Sequence, residues 1–159
     1  MQWDELAARY PVIVLEGCDG TGKTTRAAEL ADQHGYTVIH SSDVADPDGL
    51  ADAYHAVLRR PGKLALDRSF VSELVYSQLR AGRMRLTGRE AAELAFALAD
   101  RGGVLVHLTA HPKALAWRLR ARDGYAPPLD RLRVLLATYR DVFRALDGTA
   151  PILTVDTTR

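Results

Sequence analysis

Short apolar runs alternate along the chain with longer stretches in which apolar residues recur every three or four positions. Val12–Leu15 is apolar and β-branched, is closed by Glu16 and Gly17, and reads as a buried parallel strand. Tyr36–His40, Leu64–Leu66 ending at Asp67, Val104–Leu108 and Ile152–Val155 repeat that signature. Between them lie helical periods. Thr24–Gln33 ends near Gly35. Leu50–Arg60 places Leu50, Tyr54, Val57 and Leu58 on one face and is broken by Pro61-Gly62. Phe70–Leu79 gathers Val71, Leu74, Val75 and Leu79 on one side. Thr87 with Glu90 forms a capping box opening a helix through Leu98, which Gly102-Gly103 closes. Pro112–Arg122 and Leu129–Leu146 complete the set, joined by a loop over Asp123–Pro128, and Met1–Tyr10 reads as a polar helix. Ser41–Asp48 is a polar loop.

Strands alternating with helices predict right-handed βαβ units and an α/β fold: a five-stranded parallel sheet flanked by helices, with the first strand central. The 159 residues suit one domain, 1–159. Hydrophobic residues make up 47% and charged residues 26%, and the formal net charge is +1, so no global field draws the chain to nucleic acid or a membrane surface. A single cysteine, Cys18, excludes an internal disulfide. The absence of a signal-like or membrane-spanning apolar run leads to the expectation of a cytoplasmic protein without a membrane partner. Arginines concentrate in Arg80–Arg89 and Arg118–Arg144; such runs are usually solvated helix faces unless a mechanism requires them.

One segment does carry chemistry. Gly17-Cys18-Asp19-Gly20-Thr21-Gly22-Lys23-Thr24 satisfies G-x-x-x-x-G-K-[ST] in full, with a strand before it and a helix after. This is the phosphate-binding loop of the P-loop NTPase fold. Glycines let backbone N–H groups turn inward around a phosphate, and the helix N-terminus adds its dipole. Lys23 would reach the β- and γ-oxygens of ATP, and the Thr24 hydroxyl would ligate Mg²⁺. The expected ATP site is Gly17, Cys18, Asp19, Gly20, Thr21, Gly22, Lys23, Thr24 and Thr25, with Cys18 a small buried spacer. Leu64-Ala65-Leu66-Asp67, a hydrophobic strand ending in a carboxylate, has the Walker-B arrangement, so Asp67 is a second candidate for the metal or its waters.

Three segments together resemble the thymidylate kinase family of nucleoside monophosphate kinases. They are Glu16-Gly-Cys-Asp-Gly-Thr-Gly-Lys-Thr-Thr25, similar to the family's E-G strand end and D-G-x-G-K-T-T loop; Asp67-Arg68-Ser69-Phe70-Val71-Ser72-Glu73-Leu74-Val75-Tyr76-Ser77, similar to D-R-[YW]-x-x-S-x-x-A-Y-Q; and Arg118-Leu-Arg-Ala-Arg122 followed by Leu129-Asp130-Arg131, similar to the arginine-rich lid and its L-D-R. The resemblance spans about Val12 to Asp156. It implies that Arg68 clamps the acceptor phosphate and that Asp67 holds Mg²⁺-bound water or orients Arg68. It places Asp19 and Tyr76 near the acceptor's sugar, with Ser72 and Glu73 in the same acceptor site. It also implies a lid over about 118–131. The phosphate loop offers no basic residue besides Lys23, so Arg118, Arg122 or Arg131 would supply the missing charge on closure.

The departures are equally specific. The family's R-E-P after the second strand is replaced by His40-Ser-Ser-Asp43, the stretch before Asp67 is short, and Ser69 stands for an aromatic. Phosphate chemistry carries over and thymine selection does not; Tyr54 and Arg59 are candidate substitutes. The expected reaction is ATP·Mg²⁺ plus a deoxynucleoside monophosphate giving ADP and the diphosphate. The alternatives are a kinase of a hydroxymethylated base in phage-type DNA, in which case DNA is the partner, and another nucleoside or sugar P-loop kinase. A non-catalytic nucleotide switch ranks last, because the arginines would then lack a purpose and no N-K-x-D motif occurs. Assembly into a homodimer stays open.

Overall fold

The computed structural model describes residues 2–45, 49–80 and 84–159. Residues 46–48 of the expected polar loop, 81–83 of the arginine-rich Arg80–Arg89 segment, and Met1 lie outside the described residues. The elements run α1 (Trp3–Arg9), β1 (Val12–Glu16), α2 (Lys23–His34), β2 (Thr37–His40), a 3₁₀ turn (Ser41–Asp43), α3 (Leu50–Leu58), β3 (Leu64–Asp67), α4 (Phe70–Leu79), α5 (Gly88–Asp100), β4 (Gly103–Thr109), α6 (Pro112–Asp123), α7 (Leu129–Ala145) and β5 (Ile152–Asp156).

The strands form one parallel sheet in the order β2-β3-β1-β4-β5. The expected central first strand is therefore observed. Chain order reverses at β1, which pairs with β3 on one side and β4 on the other, so its carboxyl end is the topological switch point. Because side chains alternate across a strand, β1 feeds two cores. Val12 and Val14 pack with Leu64, Leu66 and Leu105 beneath α3–α7, while Ile13 and Leu15 pack with Ala65, Val104 and Val106 beneath α1 and α2. All five β1 residues are buried, which is why the strand reads as continuous apolar sequence rather than as alternation. Glu16 and its register partner His107 point to the α3–α7 side, among the few buried polar side chains.

The face read for α3 is the one it buries, and Thr87–Glu90 forms the reciprocal capping box. In α4, Val71, Leu74 and Val75 are buried with Phe70, whereas Leu79 is 41% exposed, because the helix ends there beside a surface cavity. Among the described residues no helix is long and apolar enough to cross a membrane.

Candidate active site

The loop after β1 is shaped by contacts that only glycine permits. A Cβ on Gly17 would sit 2.1 Å from the Leu108 carbonyl oxygen, at φ +148°. Gly22, at φ +92°, turns the chain into α2 and leaves the helix's first N–H groups facing the cleft. Lys23 is 5% exposed, and its ammonium donates to the carbonyls of Gly17 (2.8 Å) and Cys18 (2.7 Å). Burial, then the nearby Arg68 charge, lowers its pKa to about 8. The Thr21 hydroxyl also donates to Cys18 O, at 2.7 Å. Cys18 is buried, and desolvation pushes its thiol to about 11, so it stays protonated, as expected of a spacer.

Beside the loop, Thr24 Oγ1 donates to Asp67 Oδ2 at 2.8 Å, and His40 Nδ1 lies 3.1 Å from the same oxygen. The parallel register places His40 directly opposite Asp67 at the strand ends. The hydroxyl and carboxylate expected to serve Mg²⁺ are thus adjacent hard oxygens at the loop, a donor set that fits an ion keeping most of its ligands from water and phosphate.

Arg68 occupies the hinge between β3 and α4. Among the described residues it is the one non-glycine with positive φ (68°), a conformation costing roughly 1–2 kcal/mol that persists only where surroundings enforce it. Its N–H donates to Leu15 O at 3.0 Å. Its guanidinium pairs with Asp19, lies over the Tyr76 ring at 5.7 Å, and approaches the hydroxyls of Ser72, Tyr76 and Tyr139 at 3.5 Å each.

Three cavities meet along this line. A central one of about 420 Å³ is lined by the phosphate loop, Asp67, Arg68 and Arg122. A second, about 300 Å³, adjoins it through Gly20, Gly22 and Thr25 and is lined by Trp3, Arg26 and Arg118. A third, about 370 Å³, adjoins it through Ser41, Ser42 and Arg68 and is lined by Tyr54, Ser72, Glu73 and Tyr76. Of the expected acceptor residues, Arg68, Ser72, Glu73 and Tyr76 thus share the third cavity, while Asp19 reaches it through its pair with Arg68. Glu73 lies 3.8 Å from Arg85 at the cavity wall.

The three candidate lid arginines separate. Arg122, paired with Asp123 at 2.8 Å, lines the central cavity. Arg118, one turn earlier, donates to Gly20 O (3.1 Å) and Arg159 O (3.1 Å) and binds Thr157, tying the phosphate loop to the residues after β5. Arg131 lines a separate cavity of about 710 Å³ with Tyr125 and Leu135. The segment expected as a lid comprises the end of α6, residues 124–128 and the start of α7. Tyr54 is 3% exposed at the third cavity, whereas Arg59 caps the carboxyl end of α3.

Sequence reasoning passed over Glu16 and Tyr139. Glu16 is fully buried and accepts four hydrogen bonds: from Ser69 N (2.6 Å), Ser69 Oγ (2.8 Å), Ser72 N (3.1 Å) and Ser72 Oγ (2.5 Å). It caps α4 from a neighbouring strand and so fixes the helix that follows Arg68. Burial raises its pKa against those hydrogen bonds. Its signal in the sequence was a lone carboxylate ending an apolar run. Tyr139 had none beyond its place on a helix.

A parallel α/β sheet with a complete phosphate loop at its switch point and a cationic cleft beyond it defines a P-loop nucleotide-binding protein. Residues 13–128 match the family model described as an AAA domain, and the chain belongs to that family. No curated protein matches. Among solved structures, the chain is similar to Bacillus subtilis YorR in complex with phosphorylated GDP (25% identity, TM-score 0.79, covering 92% of this chain and 85% of that one). It is also similar to M. mycoides deoxyadenosine kinase with bound dCTP (14%, 0.61, 92% and 90%). A third is Acinetobacter baumannii shikimate kinase in complex with shikimate (21%, 0.57, 94% and 85%). The fold is that of the P-loop kinases; these comparisons do not single out the thymidylate kinase family.

Proposed function

We propose that this chain is a phosphotransferase that moves the γ-phosphoryl group of ATP to a deoxynucleoside monophosphate. The observation that carries the reading is the position of Arg68. It lies on the boundary between the cavity of the phosphate loop and the cavity beyond it, in an enforced backbone conformation. A guanidinium there can grip an acceptor phosphate while facing the γ-phosphoryl group.

The ATP phosphates lie along the loop, with the base directed to the cavity at Trp3 and Arg118. Lys23 is ammonium at neutral pH; its charge is displaced from two loop carbonyls onto the phosphate oxygens. Thr24 and Asp67 hold Mg²⁺, which when bound neutralises charge on the phosphates. An oxygen of the acceptor phosphate attacks the γ-phosphorus in line. The new O–P bond forms as the bond to the β,γ-bridging oxygen breaks, and ADP leaves. Lys23, Arg68 and Arg122 meet the charge spread over the equatorial oxygens.

A phosphate nucleophile is already ionised and needs no base, whereas a hydroxyl acceptor does. Both carboxylates at the central cavity are engaged, Asp19 by Arg68 and Asp67 by Thr24 and His40, which favours the phosphate acceptor. The likeness to YorR, which was captured with a guanine nucleotide, makes a purine deoxynucleotide a first acceptor to try.

The test is ADP release from ATP and Mg²⁺ with a panel of dNMPs, NMPs, nucleosides, shikimate and hydroxymethylated DNA. Release confined to the monophosphates supports the reading. Release with a hydroxyl acceptor or modified DNA alone sinks it.

A further inference from the structure

Behind Arg68 runs a chain of buried side chains that touches no cavity wall except at Ser72. Tyr139, on α7, is fully buried. Its ring stacks against His107 (centroids 6.2 Å apart) and meets Tyr76 edge-on (6.5 Å), so the phenol is clamped on two sides. Its hydroxyl lies 3.0 Å from Ser72 Oγ and 3.5 Å from Arg68 Nη1.

The direction of the protons follows from counting donors. Ser72 has one hydroxyl proton, and it goes to Glu16 Oε2 at 2.5 Å. The Tyr139 hydroxyl must then donate to Ser72 Oγ. With its proton spent, the phenolic oxygen turns its lone pairs outward, toward the guanidinium. Ser72 Oγ faces the same Nη1 at 3.5 Å. A carboxylate wholly out of solvent therefore orders a relay of hydroxyls whose acceptor ends converge on the Arg68 cation.

We propose that Tyr139 is a positioning residue for Arg68: the Glu16–Ser72–Tyr139 chain holds the guanidinium at the junction of the two cavities before either substrate binds. This rests on the reading of Arg68 as the acceptor-phosphate clamp. An arginine side chain has several rotatable bonds, and each left free must be frozen when the phosphate arrives. Asp19 restrains one edge of the guanidinium but is 58% exposed and competes with the incoming anion. The restraint from the protein side comes from Ser72 and Tyr76 on α4 and from Tyr139 on α7, 71 residues further along the chain. Tyr139 is fully buried and lines none of the four cavities, so it stands behind Arg68 and not at the cavity wall.

The experiment is a double-mutant cycle on Tyr139→Phe and Arg68→Ala, with the fastest-used dNMP of the panel as acceptor and steady-state ADP release as readout. In the native background, Tyr139→Phe should raise KM for the dNMP about tenfold, with ATP affinity unchanged within about twofold. In the Arg68→Ala background it should change nothing further, because the group it orients is gone. Should Tyr139→Phe not fold, Ser72→Ala removes the same hydroxyl relay and enters the same cycle. Equal losses from Tyr139→Phe in both backgrounds would mean a general packing role and overturn the inference while leaving the clamp intact. Arg68→Ala with unaltered acceptor kinetics overturns the clamp and the inference together.

Discussion

Lys23→Ala separates chemistry from folding. The ammonium is bound across the loop by the Gly17 and Cys18 carbonyls, at 2.8 and 2.7 Å, and is almost wholly out of solvent. Removing it leaves the buried Gly17 carbonyl without that donor, at about 1–3 kcal/mol if nothing replaces it, while the Cys18 carbonyl keeps the Thr21 hydroxyl. The same change abolishes the cost of burying a cation, the cost that lowers the Lys23 pKa to about 8. These terms oppose each other, and water can enter an open cavity of about 420 Å³ to serve the carbonyls. The net stability change should stay within about 2 kcal/mol, a shift in Tm of a few degrees. Turnover responds differently. One preorganised charge at the transferred phosphoryl group is worth roughly 10²–10³ in rate, so kcat should fall by at least that factor. The assay is coupled ADP release with thermal denaturation of the same sample. A folded variant turning over within tenfold of the native protein would remove the phosphate loop from the mechanism.

Arg122→Ala should lower kcat by about tenfold or more with ATP affinity held, whereas Arg131→Ala should be near native; the reverse ranking in single-turnover rates would place the mobile charge on α7. Gly17→Ala should destabilise by about 2 kcal/mol or more, because the new Cβ meets the Leu108 backbone at 2.1 Å, and an unchanged urea midpoint would refute that contact. His107 is buried, and desolvation followed by the Arg140 charge lowers its pKa to about 4 from 6.5. The unfolded chain takes up this proton first, so the contribution is complete above pH 6.5 and is lost as pH falls toward 4. It should amount to about 2–3 kcal/mol, and His107→Phe should flatten that part of the urea stability curve relative to the native protein. Parallel curves for the two proteins would exclude His107 as the source.

Much of the architecture was legible because the three inner strands, β1, β3 and β4, are buried on both faces or nearly so, and the helices between the strands have a polar side. Phe70–Leu79 and the face of Leu50, Tyr54, Val57 and Leu58 needed only the 3.6-residue period. The phosphate loop was legible because its glycines answer a local backbone demand. What depends on distant contacts was not. Arg118 and Arg122 share a helix face as their spacing requires, yet one turn separates a structural tie to Gly20 and Thr157 from a position over the central cavity. Arg68 could be placed at a strand end, but its left-handed backbone and its approach to Tyr139 arise from tertiary packing. Glu16 was visible as a strand terminus; that it caps α4 depends on which helix lies over that end of the sheet.

The most direct measurement follows the phosphoryl group itself. The protein is incubated with ATP labelled at the γ-phosphorus, Mg²⁺ and the four common dNMPs, and the products are separated. The label should appear in a deoxynucleoside diphosphate in one-to-one ratio with ADP, and transfer should fall by roughly 10²–10³ in the Arg68→Ala protein. Label recovered only as inorganic phosphate, or transferred undiminished by Arg68→Ala, would contradict the account.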